Sequence, residues 1–318
     1  MFSTFLVADD LTPARILEAA SYFGNNPRTC FRAACSDRNM IFGKNHVMKA
    51  IQSIPYTSSA FDILVGTRGP KGVSHPVFEL DPIDGYRSLD GARLGVVSMW
   101  ALDQLLNYYE RRQADAAAQF YMAISGIPEL GILRGRVMER QILRYFDSFQ
   151  VPTTLQIRSL SDDSLHDWEY PGPTRRVNFD STTFTTSLRA AVDANKPVHL
   201  VPKDPNFPAI DSILYDPNAV FTVIQCTLNL LHPEVVSGFK RILDKLKLRT
   251  PLARLRCLVK GPHWRLIFVV PAAIAQDFRE QDFEGDTPTN SWKKKIDQYV
   301  FGITDLALWG KDMNWTEG

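Results

Sequence analysis

The chain has 318 residues, of which 45% are apolar and 22% charged, and its 36 Lys and Arg against 35 Asp and Glu leave a formal net charge of +1. This length predicts two domains or one large one, and such a chain buries roughly three quarters of its unfolded surface, so it needs neither disulfides nor metal to fold. The balanced charge excludes a globally basic nucleic-acid binder and an acidic disordered tail, although a local basic face remains compatible with it.

The first half of the chain has the pattern of a mostly helical domain. Thr12 places a capping hydroxyl before a proline at the first helical position, which predicts that a helix begins there. The predicted elements are, in chain order, a helix from Thr12 to Gly24, a helix over 36–54, short strands and loops over 57–95, and one long helix over 96–125. Residues 1–128 are therefore predicted to form a mostly helical region.

The second half, residues 129–318, alternates helices and strands and predicts an α/β domain. The predicted elements are a helix over 130–149, strands over 153–159, 166–170 and 197–201 with a helix over 184–195 between the last two, strands over 209–214 and 220–228, a helix over 233–247, and a strand over 264–270. A turn signal at 216–218 joins two of these strands into a hairpin. The almost wholly apolar last strand is typical of a sheet covered on both faces.

Cysteine usage and the amino terminus predict an intracellular protein of the nucleus or cytoplasm. Cys30, Cys35, Cys226 and Cys257 form neither a C-x-x-C pair nor a dense framework, which favours reduced structural thiols. The first eleven residues lack a signal-peptide pattern, and no apolar stretch approaches the ~18 residues that cross a bilayer. No membrane partner is therefore expected.

The predicted hairpin carries candidate metal ligands. Gln225 and Thr227 are two residues apart on one strand and share a face. If the turn uses three residues, Asp211 pairs with residue 223 and joins them on that face, whereas a turn one residue longer or shorter turns Asp211 away. Glu139 lies along the apolar stripe of the helix over 130–149. Glu139, Asp211 and Gln225 would supply the hard oxygen ligands that Mg²⁺ prefers.

Structural roles remain open for the same three residues. Glu139 can pair with Arg136 or Arg140 at the edge of its helix. Asp211 can cap a strand end, and Gln225 can make a hydrogen bond in the core. The spacing alone does not decide between these roles and a metal site.

Several short motifs resemble those of a known nuclease family. The segments that carry the resemblance are Gly135 to Glu139, Pro208 to Asp211, Val223 to Thr227, Leu231 to Pro233, Trp264 to Pro271 and Asp297 to Val300. Through them, residues 130–302 resemble the restriction-endonuclease-like domain of fungal Crinkler-type and retrotransposon-hot-spot-type proteins, which is similar to the PD-(D/E)xK nucleases. The resemblance implies an α-β-β-β-α-β core with a helical Glu, an Asp on the second strand and E-x-K or Q-x-K on the third. It also implies Mg²⁺ as cofactor and DNA as partner.

Two positions depart from the nuclease pattern. Gln225 stands where the pattern usually has an acid, which removes one charge from the metal site. Thr227 stands where a lysine is expected to help activate the nucleophile or stabilise the phosphate. Lys240 and His232, on the following helix, are candidates to replace it, and each also has a structural alternative. Two functions therefore stay open: an Mg²⁺-dependent nuclease of an effector or toxin, and an inactive DNA- or protein-interaction module with the same fold.

An upstream segment, Tyr22 to Arg28, resembles the stretch that follows the ATPase core in the same architectures. The Gly-rich segment over 66–72 is no phosphate-binding loop, because Lys71 is followed by Gly72 instead of Ser or Thr. We therefore predict no ATP hydrolysis. A third hypothesis is that the chain is a fragment of an ATPase-linked regulator, whose amino-terminal half serves only to dock a protein partner such as the ATPase domain.

A basic segment follows the candidate site. Between Lys240 and Arg265 there are nine Lys and Arg and one acid, Asp244, which gives this segment a net charge of +8, and residues 293–295 form a second basic patch. Clusters of this kind contact phosphates, although a solvated helix face is the usual alternative. The residues predicted to contact nucleic acid are Lys240, Arg241, Lys245, Lys247, Arg254 and Arg256.

Overall fold

The computed structural model divides the chain into two compact units, Met1–Val137 and Met138–Glu317. It describes residues 11–24, 26–54, 60, 76–82, 92–113, 115–125, 127, 130–203, 207, 210–218, 221–231, 234–246, 252, 255–256, 263–285 and 291–310. The predicted division after residue 128 stays a prediction. Among the described helices, none has both the length and the apolar character to cross a bilayer.

The first unit contains helices and one antiparallel strand pair. Its elements are α1 (Pro13–Phe23), α2 (Pro27–Ala34), α3 (Asp37–Gln52), β1 (Phe78–Pro82), β2 (Ala92–Val96), α4 (Met99–Glu110) and α5 (Ala116–Ser125). The predicted cap of α1 is confirmed, because Thr12 Oγ1 accepts a hydrogen bond from the Arg15 N–H at 3.3 Å. Helix α2 was not predicted. It begins at an Asn26 cap that accepts from the Thr29 N–H at 3.1 Å.

The prediction of one long helix over 96–125 is wrong, since two helices occupy this stretch. Helix α4 ends at Glu110, and α5 begins at Ala116. The Asp115 carbonyl accepts the first hydrogen bond of α5, from the Gln119 N–H at 2.9 Å. Asp is a favoured residue at this cap position, so the sequence does contain a start signal inside the apolar pattern.

The second unit is built on one mixed sheet of eight strands. Its elements are α6 (Gly131–Asp147, which begins before the unit boundary), β3 (Thr153–Ser159), β4 (Leu165–Tyr170), β5 (Arg175–Phe179), α7 (Phe184–Ala194), β6 (Val198–Pro202), β7 (Ser212–Tyr215), β8 (Thr222–Cys226), β9 (Glu234–Val235), α8 (Val236–Leu246), β10 (Trp264–Pro271), α9 (Ala272–Ala275), β11 (Phe283–Glu284), a 3₁₀ helix (Trp292–Lys294), β12 (Ile296–Ile303) and α10 (Asp305–Trp309). The strand order in the sheet is β4-β3-β12-β10-β8-β7-β6-β5, and β9 pairs with β11 separately. The predicted α/β class is confirmed.

The strands next to the candidate site form an antiparallel meander followed by a parallel crossover. Strand β6 pairs antiparallel with β7, and β7 pairs antiparallel with β8. The chain then passes through α8 to β10, which pairs parallel with β8. Parallel pairing requires such a crossover, and the helix covers one face of the sheet.

The sheet has a hydrophobic core on the face that carries α7 and α8. Val223 of β8 and Phe268 of β10 are fully buried there together with Leu188 of α7 and Phe239 of α8. Residues with the same parity along these strands therefore point towards α7 and α8.

Helix α6 packs on the opposite face of the sheet. The Phe146 ring of α6 stacks on Tyr170 with centroids 5.1 Å apart and meets the edge of Trp168 at 5.7 Å. It also lies 6.1 Å from the ring of His199, which is fully buried. The α6 face carries Glu139, so the position of each strand residue on one face or the other decides whether it can join a site there.

Candidate functional site

The hairpin of β7 and β8 has a different register from the predicted one. The pairs are Ser212 with Ile224, Ile213 with Val223 and Leu214 with Thr222. The predicted pairing of residue 211 with 223 is therefore wrong by two residues. A register shift of two residues leaves each side chain on the same face of the sheet, so a regular ladder would still place Asp211 opposite Gln225.

The β7–β8 ladder bends at Asp211, and this bend places the Asp211 side chain on a different face of the sheet from Gln225. The Asp211 N–H donates to the Ile224 carbonyl at 3.1 Å, and Ile210 belongs to the same core as Ile213, so strict alternation is broken between them. The Asp211 carboxylate lies against Cys226, whose N–H donates to Oδ2 at 2.6 Å. Asp211 is thereby placed beside the residue that follows Gln225.

Asp211 contacts Cys226, and the charge of Glu139 also acts on the Cys226 thiol. Burial raises the pKa of this thiol well above its usual range, and the negative charges of Asp211 and Glu139 raise it further. The thiol also makes a hydrogen bond to Asp211. The charges of two of the three predicted metal ligands therefore act on one thiol, at the carboxyl end of β8.

The environment of Asp211 favours its protonated form. Burial raises its pKa from 3.8 to about 6, against the opposing effect of hydrogen bonds from the Cys226 N–H and thiol. A carboxyl group with such a pKa exchanges its proton close to neutral pH. Perturbed groups of this kind are concentrated at functional sites, although structural networks also contain them.

Gln225 lies on the other face of the sheet. The parallel register of β8 and β10 aligns Gln225 with Phe268 and aligns Cys226 with Val269. Phe268 belongs to the core under α7 and α8, so Gln225, which is buried, points towards that core. The alternation of β8 thus separates Gln225 from Glu139 and Asp211.

Thr227 continues β8 for one more residue and then begins a turn. Its N–H donates to the Val269 carbonyl at 3.1 Å, and its buried hydroxyl accepts from the Asn229 N–H at 3.1 Å. The hydroxyl is therefore engaged in local backbone structure. No positive charge is present at this position, where the nuclease pattern has a lysine.

The predicted basic residues that the structure describes lie apart from the carboxylates. Lys240 is exposed on α8, whose Phe239 and Ile242 pack on the opposite face of the sheet from Glu139. The Arg241 guanidinium lies over the Phe207 ring at 4.6 Å. Lys245 and Arg256 are partly buried. His232, Lys247 and Arg254 lie outside the described residues.

Carboxylate oxygens are the type of ligand that a hard divalent cation prefers. Within the described ranges, no group of three or more His, Cys, Asp and Glu side chains is arranged to hold a metal ion. Mg²⁺ commonly binds proteins through one or two carboxylates and keeps several waters, so a set of three protein ligands is not a requirement for it. The soft thiol of Cys226 is unsuited to Mg²⁺.

Comparisons of this chain with protein-family models, with curated proteins and with solved structures give no match. The interpretation of the site therefore rests on the residues of this chain.

Cys226 is the member of the cluster that sequence reasoning missed. As one of four scattered cysteines it was assigned a purely structural role. The available signal was its position between Gln225 and Thr227, since alternation must turn it to the opposite face from both. The bend at Asp211, which makes that face the relevant one, has no comparable signal in the sequence.

Proposed function

We propose that the second unit is a nuclease-like domain, of the kind found in Crinkler-type effectors or toxins, that binds DNA and hydrolyses phosphodiesters with Mg²⁺. Glu139 and Asp211 would hold the ion. The observation that carries this proposal is that Asp211 contacts Cys226 while the charge of Glu139 acts on the same thiol. The order β6, β7, β8, the short β9, α8 and β10 gives it partial support, because Asp211 directly precedes the second of these strands. The helix directly before β6 is α7, whereas Glu139 lies on α6.

The residues of the site have distinct roles in this proposal. A bound Mg²⁺ would orient water and neutralise charge on the phosphate. The Cys226 N–H orients the Asp211 carboxylate, which has to lose its proton before it can bind a cation. Thr227 supplies no charge to the transition state, so we expect hydrolysis to be slow.

A second candidate is a domain that binds DNA without cleaving it. The specific observations in its favour are the position of Gln225 on the opposite face of the sheet and the hydroxyl of Thr227 in place of a lysine. With two acidic ligands, and with Thr227 in place of the lysine, the same fold would retain binding and lose its chemistry.

Plasmid nicking by the Asp211→Asn variant tests the proposal. Asn keeps the shape of the side chain and an acceptor for the Cys226 N–H, but it removes the negative charge. We expect Mg²⁺-dependent nicking of supercoiled plasmid by the wild type and at least a 100-fold slower rate, on the order of a lost catalytic group, for the variant. Asp216→Asn is the matched control on the same hairpin, and it should nick at the wild-type rate.

The same assay separates the two candidate functions. Unchanged nicking by Asp211→Asn would refute the assignment of the site. A wild-type protein that shifts DNA in a gel but never nicks it would support the binding module. Since a protonated Asp211 cannot bind the ion, nicking should also decline as the pH is lowered through about 6.

A further inference from the structure

Helix α3 of the first unit follows α2 after a short turn. Only Cys35 and Ser36 separate the two helices. The Ser36 hydroxyl fixes the start of α3, because its oxygen accepts a hydrogen bond from the Asn39 N–H at 3.2 Å. The pair therefore has the order of a helix-turn-helix unit, in which a second helix is presented after a tight connection.

The inner face of α3 packs on α1. Met40, Val47 and Ile51 of α3 are buried. Gly43 lies between them, and a Cβ there would be 2.7 Å from Cζ of Phe23 on α1. This close packing fixes α3 on one side, so the opposite side of the helix is presented to solvent on a rigid support.

The outer face of α3 carries a row of four exposed side chains. Arg38, Phe42, Asn45 and Lys49 are exposed and follow one another at spacings of four, three and four residues, so they lie along one side of the helix. Phe42 is 61% exposed, and the guanidinium of Arg32 on α2 lies over its ring at 5.6 Å. The row therefore has cations at its two ends and an aromatic ring and an amide at its centre.

The helix pair is strongly basic. Residues 27–52 contain five Lys and Arg and one acid, Asp37, which gives them a net charge of +4. Arg15 of α1 binds the Asp37 carboxylate at 2.7 Å, so this acid is already neutralised by a cation from outside the pair. A surface with this excess of positive charge attracts a polyanion.

We propose that the outer face of α3 lies in the major groove of duplex DNA, where Asn45 contacts a base edge and Arg38 and Lys49 contact phosphates. An α-helix with its side chains is about 10–12 Å in diameter, and the major groove is about 12 Å wide. Helix-turn-helix proteins place the second helix of the pair in this groove. The inference does not depend on phosphodiester hydrolysis, because it uses residues of the first unit alone.

The spacing and chemistry of the row match the groove. At 1.5 Å per residue, Arg38 and Lys49 are about 16 Å apart along the helix axis, so their long side chains can reach the phosphates on the two sides of the groove. Phe42 and Asn45 then face the base edges between them. Asparagine pairs with adenine through two hydrogen bonds, and phenylalanine contacts the methyl group of thymine.

The composition of the face favours DNA over a protein as the partner. The centre of a protein interface is depleted of charged residues, and each partner buries roughly 800 Å². The large apolar side chains that α3 exposes are Ile41 and Phe42, and Arg38 and Lys49 flank them along the helix. Two apolar side chains between cations supply only a small part of the area that a protein complex needs.

Selection of bound duplexes from a library of short random sequences tests the groove contact on the full chain, without Mg²⁺ so that no cleavage interferes. We expect the wild type to enrich a sequence with an adenine·thymine pair at one position. Asn45→Ala should bind the enriched duplex about 10-fold more weakly and should lose the preference at that position. Asn178→Ala, which removes an exposed amide from β5, is the matched control and should behave as the wild type.

The salt dependence of binding to the enriched duplex tests the phosphate contacts. Arg38→Gln with Lys49→Gln should reduce the slope of log K against log salt by about 1.8, because each neutralised phosphate adds about 0.9. Lys196→Gln, an exposed cation of the second unit, is the control. Equal melting temperatures by circular dichroism exclude a loss of fold, and an unchanged slope in the double variant would overturn the phosphate contacts.

The outcomes separate this inference from the proposed function. A wild type that enriches a sequence but never nicks plasmid would support the inference and refute hydrolysis. A wild type that nicks plasmid but enriches no sequence, or whose affinity and preference are unchanged in Asn45→Ala, would overturn the inference alone, and an acidic protein would become the alternative partner of α3. A wild type that binds no duplex would overturn both.

Discussion

At the scale of single residues, the bend at Asp211 determines which side chains can act together. A regular ladder would pair Asp211 with Gln225, but the N–H of Asp211 bonds to the Ile224 carbonyl and its carboxylate to the Cys226 N–H. A displacement by one position exchanges the two faces of a strand. Asp211 therefore joins Cys226 on the α6 face, where Glu139 lies.

Sequence reasoning placed Glu139 on a helix and Asp211 in the first half of a hairpin, and these assignments agree with α6 and with the start of β7. Helical and strand periodicity suffices for such assignments because it depends on local burial. The contact between Asp211 and Cys226 depends instead on a local bend without a glycine at the bend itself. The separation of Gln225 from the cluster could not be predicted for the same reason.

His199 is another buried titratable residue, and its ring lacks a hydrogen-bond partner among the described residues. It is fully buried beside Phe146, and within the described residues neither ring nitrogen has a hydrogen-bond partner. Burial, together with the smaller effect of the Arg176 charge, lowers its pKa from 6.5 to about 3. The native state therefore holds this ring neutral, while the unfolded chain takes up a proton below pH 6.5.

Replacement of His199 by leucine should remove this pH dependence. A depressed pKa contributes stability above the unfolded value of 6.5 and loses it as the pH falls, by about 1.4 kcal/mol per unit. Between pH 7 and pH 5 the wild type should therefore lose about 2 kcal/mol more unfolding free energy than His199→Leu. Urea denaturation at both values measures the difference, with the exposed His46→Leu as the control. Equal losses of unfolding free energy in the wild type and His199→Leu would contradict the assignment of His199 as a neutral buried ring.

At the scale of whole elements, those with strong local signals were predicted well. Helices α1, α3 and α6 and strands β3 and β10 are confirmed within a few residues, because caps and long apolar patterns mark them. Strand β5 was missed. It is an edge strand that begins with Arg175 and Arg176, both exposed, and polar residues of this kind protect a sheet edge while hiding its strand pattern.

Gly172 and Gly135, both in the second half of the chain, differ in the space that the backbone leaves for a side chain. Gly172 has φ +81°, and a Cβ there would lie 2.5 Å from the Val151 carbonyl carbon and 2.6 Å from the Pro152 nitrogen. Backbone atoms cannot move aside as a flexible side chain can. Gly135 lies within α6, and a Cβ there would meet nothing within 4 Å.

The two alanine substitutions should therefore change the free energy of unfolding in opposite directions. Gly172→Ala should lower the free energy of unfolding by at least about 2 kcal/mol, from left-handed strain and the clash together. Gly135→Ala should raise it by about 0.5–1 kcal/mol, because alanine loses less backbone entropy in a helix. Chemical denaturation of both variants against the wild type measures these changes. A neutral Gly172→Ala would show that the 151–152 backbone can shift.

At the scale of the whole molecule, the net charge of +1 conceals an uneven distribution. The segment from Lys240 to Arg265 carries +8, so the rest of the chain carries a net negative charge. Helix α8 displays exposed Lys240 and Arg241 on its surface, opposite the apolar stripe that contains Phe239 and Ile242. A local excess of cations determines phosphate binding more directly than the total charge does.

The salt dependence of DNA binding follows from this distribution and can be assigned to residues. Each phosphate that a cation neutralises releases counterions and adds about 0.9 to the slope of log K against log salt. If the α8 cations bind phosphates, Lys240→Gln with Arg241→Gln should reduce the slope by about 1.8. Fluorescence anisotropy of a labelled duplex over a salt series measures it. Lys196→Gln, an exposed cation beyond the end of α7, is the control, and an unchanged slope in the double variant would place the phosphate contacts elsewhere on the surface.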